Sequence, residues 1–450
     1  MRIILIHPEE ARHKYNFKGI VENECLDLEY LSSVLKTENH EIFFWDGKIE
    51  DTKASDKIDE INPEVVYITG RNFQEEFVLE YAEYAKKHNE KTIVIVGGLH
   101  AQLCFNRLEK SYVDYILKSF DVFKVLDLIN HHNDYSYLDS MQDICFQKDG
   151  KWIEKEAVSF DITRLPRPDR SYFFAHPDNY NYLDLPHAAW VRTAYSCPYK
   201  CAFCLRNKMN SSKYSRRDIV DVVDEIEHID CENIYIVDDD FLFDEERLWT
   251  FINLVKEKGL KKRFICYGRS DFIASHEEIV KELADIGFYY FLVGLETIRE
   301  NDMGRYNKKN NLTNNEKAID LCHKYGVHIM AMFILDLDFV GKDFRNLYKY
   351  IKVHKIKHVA VSIFTPEPGL ESYKDYEDRI ITDNPGHYDY IHLVCKPDKL
   401  SVKSYYRHYY TLLIRLFLKA YREKVYDFID YKDYIKSFIQ GFFGKKQGCE

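Results

Sequence analysis

Three cysteines, Cys197, Cys201 and Cys204, stand close together in SCPYKCAFC, a C-x3-C-x2-C spacing. Thiolates are soft ligands, and three so near along a chain converge only from a loop. A structural zinc takes four ligands, commonly as two C-x2-C pairs, and the sequence has no second pair. His187 or Cys231 would have to complete a zinc site. A disulfide fits poorly with a reducing compartment, where lone cysteines serve as small buried hydrophobes. That reading covers Cys25, Cys104, Cys145, Cys231, Cys266, Cys322 and Cys395, with Cys449 idle in the tail. Three ligands match a [4Fe–4S] cluster whose fourth iron is left open to a chelating amine and carboxylate.

Polar groups recur at the ends of apolar runs downstream: Asp238-Asp239-Asp240, Gly268-Arg269-Ser270-Asp271, Gly294-Leu295-Glu296 and Thr365-Pro366-Glu367-Pro368-Gly369. Any one alone would serve as a helix cap. Together with the cysteines they make a site for a charged, amino-acid-bearing cofactor. Asp336, Asp338 and Asp343 follow another run and read as a solvated loop facing substrate, not as a metal site.

The elements that position these groups alternate. Strands are expected at Ala188–Thr193, Asn233–Val237, Arg263–Tyr267, Tyr289–Val293, Val327–Phe333 and His358–Phe364, with helical stretches between them. That pattern predicts a partial (β/α)6 barrel over residues 186–370, whose chemistry sits at the carboxyl ends of its strands. An earlier alternation over residues 1–135 has strands at Ile3–Ile6, Glu41–Trp45, Val65–Thr69 and Thr92–Val96. Helices are expected around Leu28–Lys36, Phe73–Lys87 and Val122–Ile129. This predicts an α/β, Rossmann-like doubly wound parallel sheet, whose ligand lies beyond the strands' carboxyl ends. Those ends carry His7-Pro8, Asp46-Gly47, Gly70-Arg71-Asn72 and Gly97-Gly98-Leu99-His100. The paired glycines suit a flat ligand or, equally, a tight turn. Residues 136–185 read as a linker with a short hairpin turning at Asp149-Gly150, and residues 371–450 as a helical, aromatic-rich region that should roof the barrel mouth.

A net charge of −11 argues against a nucleic-acid binder, which needs a basic face. The apolar start MRIILIHPEE is too short for a signal peptide or a membrane span, and Tyr409 to Leu418 is broken by Arg415. The expectation is a soluble, cytoplasmic chain, with IQGFFGKK near the end as a peripheral membrane contact.

C-x3-C-x-aromatic-C, with Phe203 as the aromatic residue, resembles the cluster loop of radical S-adenosylmethionine enzymes. RTAYSCPYKCAFC, IVDDDF, YGRSDFI, DIGFYYFLVGLET and TPEPG resemble successive blocks of the subfamily with an N-terminal cobalamin-binding domain. IHPEE, INPEVVYITG, IVIVGGLH and VDYIL resemble that domain. MFILDLDFVGKDF and YDYIHLVCKPDKLSVKSYYRHYY are most similar to the hopanoid-methylase branch. The resemblance implies that Cys197, Cys201 and Cys204 hold the cluster. Asp238 or Asp240, Arg269 and Glu296 would line the S-adenosylmethionine pocket, and the backbone at Phe364 and Thr365 would face adenine. It implies cobalamin over Thr69, Gly70, Arg71, Asn72, Gly97 and Gly98, with Arg71 or Asn72 nearest cobalt, where a cation would discourage a lower axial ligand.

The implied reaction is anaerobic methylation of an unactivated carbon in an apolar small molecule, lipid or peptide through a 5′-deoxyadenosyl radical. Electrons would come from flavodoxin or ferredoxin. Two departures bear on cobalamin: the usual Leu-Gly-Leu is Leu26-Asp27-Leu28, and a Gly-Glu-Gly-Glu stretch is Lys118-Ser119-Phe120-Asp121. Radical cyclisation, rearrangement or C–C coupling without methyl transfer is the enzymatic alternative, and a corrinoid- or zinc-sensing module the non-enzymatic one.

Overall fold

The computed structural model describes residues 1–10, 21–306, 308 and 310–428. Among them, one sheet takes strands β1 (Arg2–His7), β2 (Glu41–Asp46), β3 (Val65–Ile68), β4 (Ile93–Val96), β5 (Tyr115–Leu117), β6 (Ile144–Lys148) and β7 (Lys151–Glu154), in the order β2-β1-β3-β4-β5-β6-β7. The pairings from β2 through β5 are parallel. Side chains alternate across a strand, so Ile3 and Leu5 enter one core and Ile4 and Ile6 the other. One core is covered by α1 (Leu26–Leu35), the other by α2 (Ala54–Ile61) and α3 (Glu75–His88).

The hairpin expected within the linker continues this first sheet, because β6 pairs antiparallel with β5 and buries Ile144, Cys145 and Phe146. Its turn has positive φ at Asp149 (52°) and Gly150 (73°), as a two-residue type I′ turn requires.

The second sheet has six parallel strands in sequential order: β8 (Ala188–Val191), β9 (Asn233–Ile236), β10 (Arg263–Gly268), β11 (Phe288–Glu296), β12 (His328–Leu335) and β13 (His358–Ile363). β8 and β13 are its edges, so the barrel is open. Its concave face is filled by Tyr182, Tyr235, Ile265, Tyr290, Leu292 and Met330, and its convex face packs on helices through Ile234, Ile236, Phe264 and Phe291. Part of the aromatic excess therefore lies inside the barrel. The long helix Val402–Arg422 packs beside the helix Gly341–Val353, with Phe344 edge-on to Tyr405. That places it on the barrel's outer layer instead of over the mouth, because Tyr405, Tyr409 and Leu412 belong to the helix-layer core. The mouth is approached by residues 389–391. The segment IQGFFGKK lies outside the described residues, and no described helix is long and apolar enough to cross a membrane.

The two sheets are joined through buried charge. Arg170 donates to Glu24 (2.6 Å) and Glu225 (3.0 Å), and its guanidinium also caps the Trp190 carbonyl. One arginine thus ties the entry to α1 to the barrel's first strand and to the helix Ile219–His228.

Candidate functional site

The three cysteines sit in one loop beyond the carboxyl end of β8. Its neck is tied by the pairing of Ala194 with Arg216 and Tyr195 with Ser215. Asp238, at the end of β9, clamps the same neck: its carboxylate accepts from the backbone N–H of Thr193 (2.7 Å) and Ala194 (2.9 Å) and from the Thr193 hydroxyl. With both oxygens engaged, Asp238 positions the loop. Asp239 receives the Arg206 guanidinium at 3.3 Å, and Asp240 accepts from Leu242 N (3.2 Å) through Oδ1 alone. Asp240 is buried, its Oδ2 has no hydrogen-bond partner, and burial holds its carboxyl well above the usual range. A buried acceptor without a donor costs free energy unless a ligand supplies one.

Two residues that sequence reading missed pin the far side of the loop. The Tyr306 carbonyl accepts from Ala202 N (3.0 Å), and its ring meets Phe203 edge-on at 5.3 Å. Lys308 is buried, with its ammonium 2.5 Å from Glu296 Oε1 and on the Gly294 carbonyl. Both belong to an irregular segment with no periodicity to flag them. Glu296 itself adopts φ 61°, in the left-handed region that a glutamate seldom occupies, at a register shift in β11. Gly294 leaves room for the pair: a Cβ there would stand 2.1 Å from Glu296 Oε1 and 2.7 Å from Lys308 Nζ, displacing both.

Arg269 reaches the cluster loop directly. Its guanidinium lies 3.9 Å from Cys201 Sγ and 4.0 Å from the Tyr199 ring centre, and it also binds Asp271 and the Lys308 carbonyl. Asp240, Arg269 and Glu296 thus converge around the loop from three consecutive strand ends. Phe364 leans on Tyr376, and its N–H is spent on the Leu335 carbonyl; Thr365 is buried with its hydroxyl on the Ile363 carbonyl.

The donor set fits a cluster better than zinc. Around one tetrahedral zinc, thiolate sulfurs lie about 3.8 Å apart. Among the described residues, the ligating atoms that gather within 4.8 Å of one another are those of the exposed trio Asp224, Glu227 and His228, so the three cysteines are spread more widely than one zinc allows. His187 and Cys231 precede β8 and β9, at the end of the barrel opposite the cysteine loop. Neither can complete a zinc site. Burial pushes the Cys197 and Cys204 thiols up to about 12 and raises that of Cys201, so a metal's charge is needed to hold them as thiolates.

A cavity of about 640 Å³ separates the two sheets. One wall is the carboxyl edge of the first sheet, with His7, Gly47, Thr69, Gly70 and Arg71; the other carries Trp190, Arg192, Arg206 and Met209. Arg71 is exposed toward the cavity, and its guanidinium has no ion-pair partner among the described residues. Asn72 points elsewhere, donating to Glu367 at 3.2 Å. Gly97 and Gly98 stand behind this wall. A Cβ on Gly97 would lie 2.0 Å from the Tyr67 hydroxyl, and one on Gly98 (φ 85°) would lie 2.4 Å from Thr69 Oγ1. Gly97 thus makes room for Tyr67, and Gly98 for Thr69 and Gly70. His100 is buried on Glu75 at 2.7 Å and does not face the cavity.

Both sequence departures have structural uses. Asp27 lines the cavity and meets Arg192 at 3.3 Å, while Lys118 pairs with Glu154 at 2.6 Å. Phe120 stacks on Tyr195 with ring centres 4.0 Å apart and forms part of the cavity wall. The expected solvated acidic loop is in fact paired: Asp336 accepts from Tyr306 (2.7 Å) and Arg305, Asp338 from Arg299 (2.6 Å), and Asp343 caps the helix Gly341–Val353.

Residues 191–351 match the model of the Radical SAM superfamily. The chain is 23% identical to an uncharacterized methyltransferase of Pyrococcus horikoshii, over 88% of each chain. It is 21% identical to the hopanoid C-3 methylase of Methylococcus capsulatus, over 90% of this chain and 78% of that protein. The fold is that of TsrM from Kitasatospora setae, a radical S-adenosylmethionine methyltransferase solved with cobalamin and a [4Fe–4S] cluster bound (TM-score 0.64, 16% identity, 91% of this chain and 85% of that one). It is also that of OxsB, a cobalamin-dependent S-adenosylmethionine radical enzyme solved with aqua-cobalamin and S-adenosylmethionine (TM-score 0.64, 16% identity, 83% of this chain); there the chain spans 55% of the other's length.

Proposed function

We propose, from the premise that residues 191–351 are a radical S-adenosylmethionine domain, that the chain is a cobalamin-dependent C-methyltransferase. The observation that carries this reading is the cavity between the sheets. A flat cofactor lying on Thr69–Arg71 would face Arg206 and Met209, which continue the loop that bears Cys204. When bound, the cluster with S-adenosylmethionine would supply a 5′-deoxyadenosyl radical and the corrinoid a methyl group for an unactivated carbon.

The chain's own work is placement. Cys197, Cys201 and Cys204 hold three irons, with Asp238 fixing the neck of their loop. Asp240 offers its unpartnered oxygen to a donor on S-adenosylmethionine. Arg269 and Glu296 bound the same pocket, and Phe364 and Thr365 its adenine side. Thr69, Gly70 and Arg71 bear the corrin, with Asn72, Gly97 and Gly98 holding that loop from behind. Phe120, backed by the stacked Tyr195 ring, gives the cavity wall an apolar face there and helps exclude water. The substrate proposed is an apolar small molecule, lipid or peptide, as the sequence resemblance implies, and a flavodoxin or ferredoxin would deliver electrons one at a time.

The test is anaerobic. Purified protein should be brown, carry about four irons per chain, and bind hydroxocobalamin. With S-adenosylmethionine and dithionite, methyl transfer yields both S-adenosylhomocysteine and 5′-deoxyadenosine, whereas cyclisation or coupling yields only the second. A colourless zinc protein, or one that takes up no cobalamin at micromolar concentration, overturns the reading.

A further inference from the structure

Glu367 is buried at 3% exposure at the point where three parts of the molecule meet. It stands in the turn Thr365–Gly369 after β13, between Pro366 and Pro368, whose fixed φ angles stiffen that turn. Its Oε2 accepts from Asn72 Nδ2 at 3.2 Å, and its Oε1 accepts from the Tyr390 hydroxyl. Each donor is itself held. Asn72 Oδ1 accepts from Phe73 N at 2.9 Å, which fixes the amide so that its N–H2 faces Glu367. The Tyr390 carbonyl accepts from Ile363 N at 2.7 Å, at the end of β13, and its neighbours Asp389 and Ile391 line the cavity.

The carboxylate therefore links two loops that the proposed function assigns to different cofactors. Asn72 is the residue after Arg71, on the corrin side; Thr365 is two residues before Glu367, on the adenine side. The Asn72–Glu367 hydrogen bond joins these two loops directly, and the Tyr390 hydroxyl ties the same carboxylate to a third segment.

We infer that Glu367 is a positioning residue that couples the two cofactor sites, so that S-adenosylmethionine in its pocket tightens cobalamin in the cavity and the reverse. This rests on the cobalamin reading above. Coupling of binding is reciprocal, so either ligand can report it.

The experiment uses cluster-reconstituted full-length protein and hydroxocobalamin as the probe, titrated by its visible absorption with and without saturating S-adenosylmethionine. In wild type the Kd should fall at least threefold when S-adenosylmethionine is present. In Glu367→Ala and in Asn72→Ala the ratio should collapse to one, with iron content unchanged. Reversing the hydrogen bond should restore it. In the pair Asn72→Asp with Glu367→Gln, the glutamine N–H2 donates to the aspartate while its carbonyl still accepts from Tyr390. A merely structural role would not produce that rescue. A wild-type ratio of one, a ratio kept in the alanine variants, or no recovery in the reversed pair overturns the inference while leaving the cobalamin site standing. Failure of every variant and of wild type to bind hydroxocobalamin overturns the cobalamin reading, and this inference with it.

Discussion

The Lys308 ammonium lies 2.5 Å from Glu296 Oε1, and the two side chains are 5% and 11% exposed. Glu296 is at the same time in the left-handed region, so the pair holds a strained backbone in place beside the cysteine loop. Removing one partner of a buried pair strands the other charge, at a cost of about 3 kcal/mol. Lys308→Met should therefore lower the midpoint of chemical unfolding markedly. Lys308→Met combined with Glu296→Gln should recover most of that loss. If the double variant is as unstable as the single one, Lys308 acts through its packing instead of its charge.

Asp238 and Asp240 stand two residues apart and should fail differently. Asp238→Ala leaves the Thr193 and Ala194 N–H groups buried without an acceptor, which loosens the neck of the loop. Iron recovered on anaerobic reconstitution should drop at least severalfold. Asp240→Asn keeps the oxygen that accepts from Leu242 N and alters only the one that no protein group uses, so iron should stay at the wild-type level. What it should lose is the change that S-adenosylmethionine makes to the reduced cluster's electron paramagnetic resonance spectrum. Equal iron loss in both variants would make Asp240 a second clamp.

The six barrel strands and β1 to β4 were legible, with the residues at their ends, because parallel strands buried on both faces are written as continuous apolar runs; the three-residue β5 was too short to stand out. The sequence did not distinguish Asp238 from Asp240. Both follow β9, and only the fold shows that one clamps the neck of the loop with both oxygens while the other keeps Oδ2 without a hydrogen-bond partner. The role of Gly97 and Gly98 was also hidden, since a glycine needed by Thr69 and one needed by a ligand look alike in a chain. Tyr306 and Lys308 escaped notice for another reason: they act from an irregular segment, where no period predicts which way a side chain turns. The hairpin turning at Asp149-Gly150 was legible, but its joining of the first sheet was not, because strand pairing between β5 and β6 is a tertiary fact.

Arg71 faces the cavity without an ion-pair partner among the described residues, which makes it the cation nearest a bound corrin's underside in the proposed arrangement. A cation there disfavours a ligand on the lower axial position. Reduced cobalamin bound to wild type should show the electron paramagnetic resonance pattern of cobalt without a nitrogen ligand. Arg71→Ala should admit water or another donor and change both that pattern and the visible absorption. Identical spectra for the two proteins would remove Arg71 from the cobalt site.

Glu367 should give the molecule a pH dependence near neutrality. Burial raises its carboxyl from the ordinary 4.5 to about 7, against the opposing pull of the Tyr390 and Asn72 hydrogen bonds and the charges of Arg206 and Arg71. A carboxyl raised in the folded chain keeps its proton after the unfolded chain has released one. Stability is then highest below 4.5 and falls as pH rises toward 7, by about 3 kcal/mol in all. Glu367→Gln, which cannot ionise, should lack this slope, so that the variant overtakes wild type in unfolding midpoint between pH 5 and 8. The link between the loops runs the opposite way. Asn72 and Tyr390 are both donors, and only the ionised carboxylate offers each of them an acceptor without a competing proton. Tightening of hydroxocobalamin by S-adenosylmethionine should therefore be present above pH 7 and fade below it. A stability gap between wild type and Glu367→Gln that does not change over that range would show that the carboxyl titrates elsewhere.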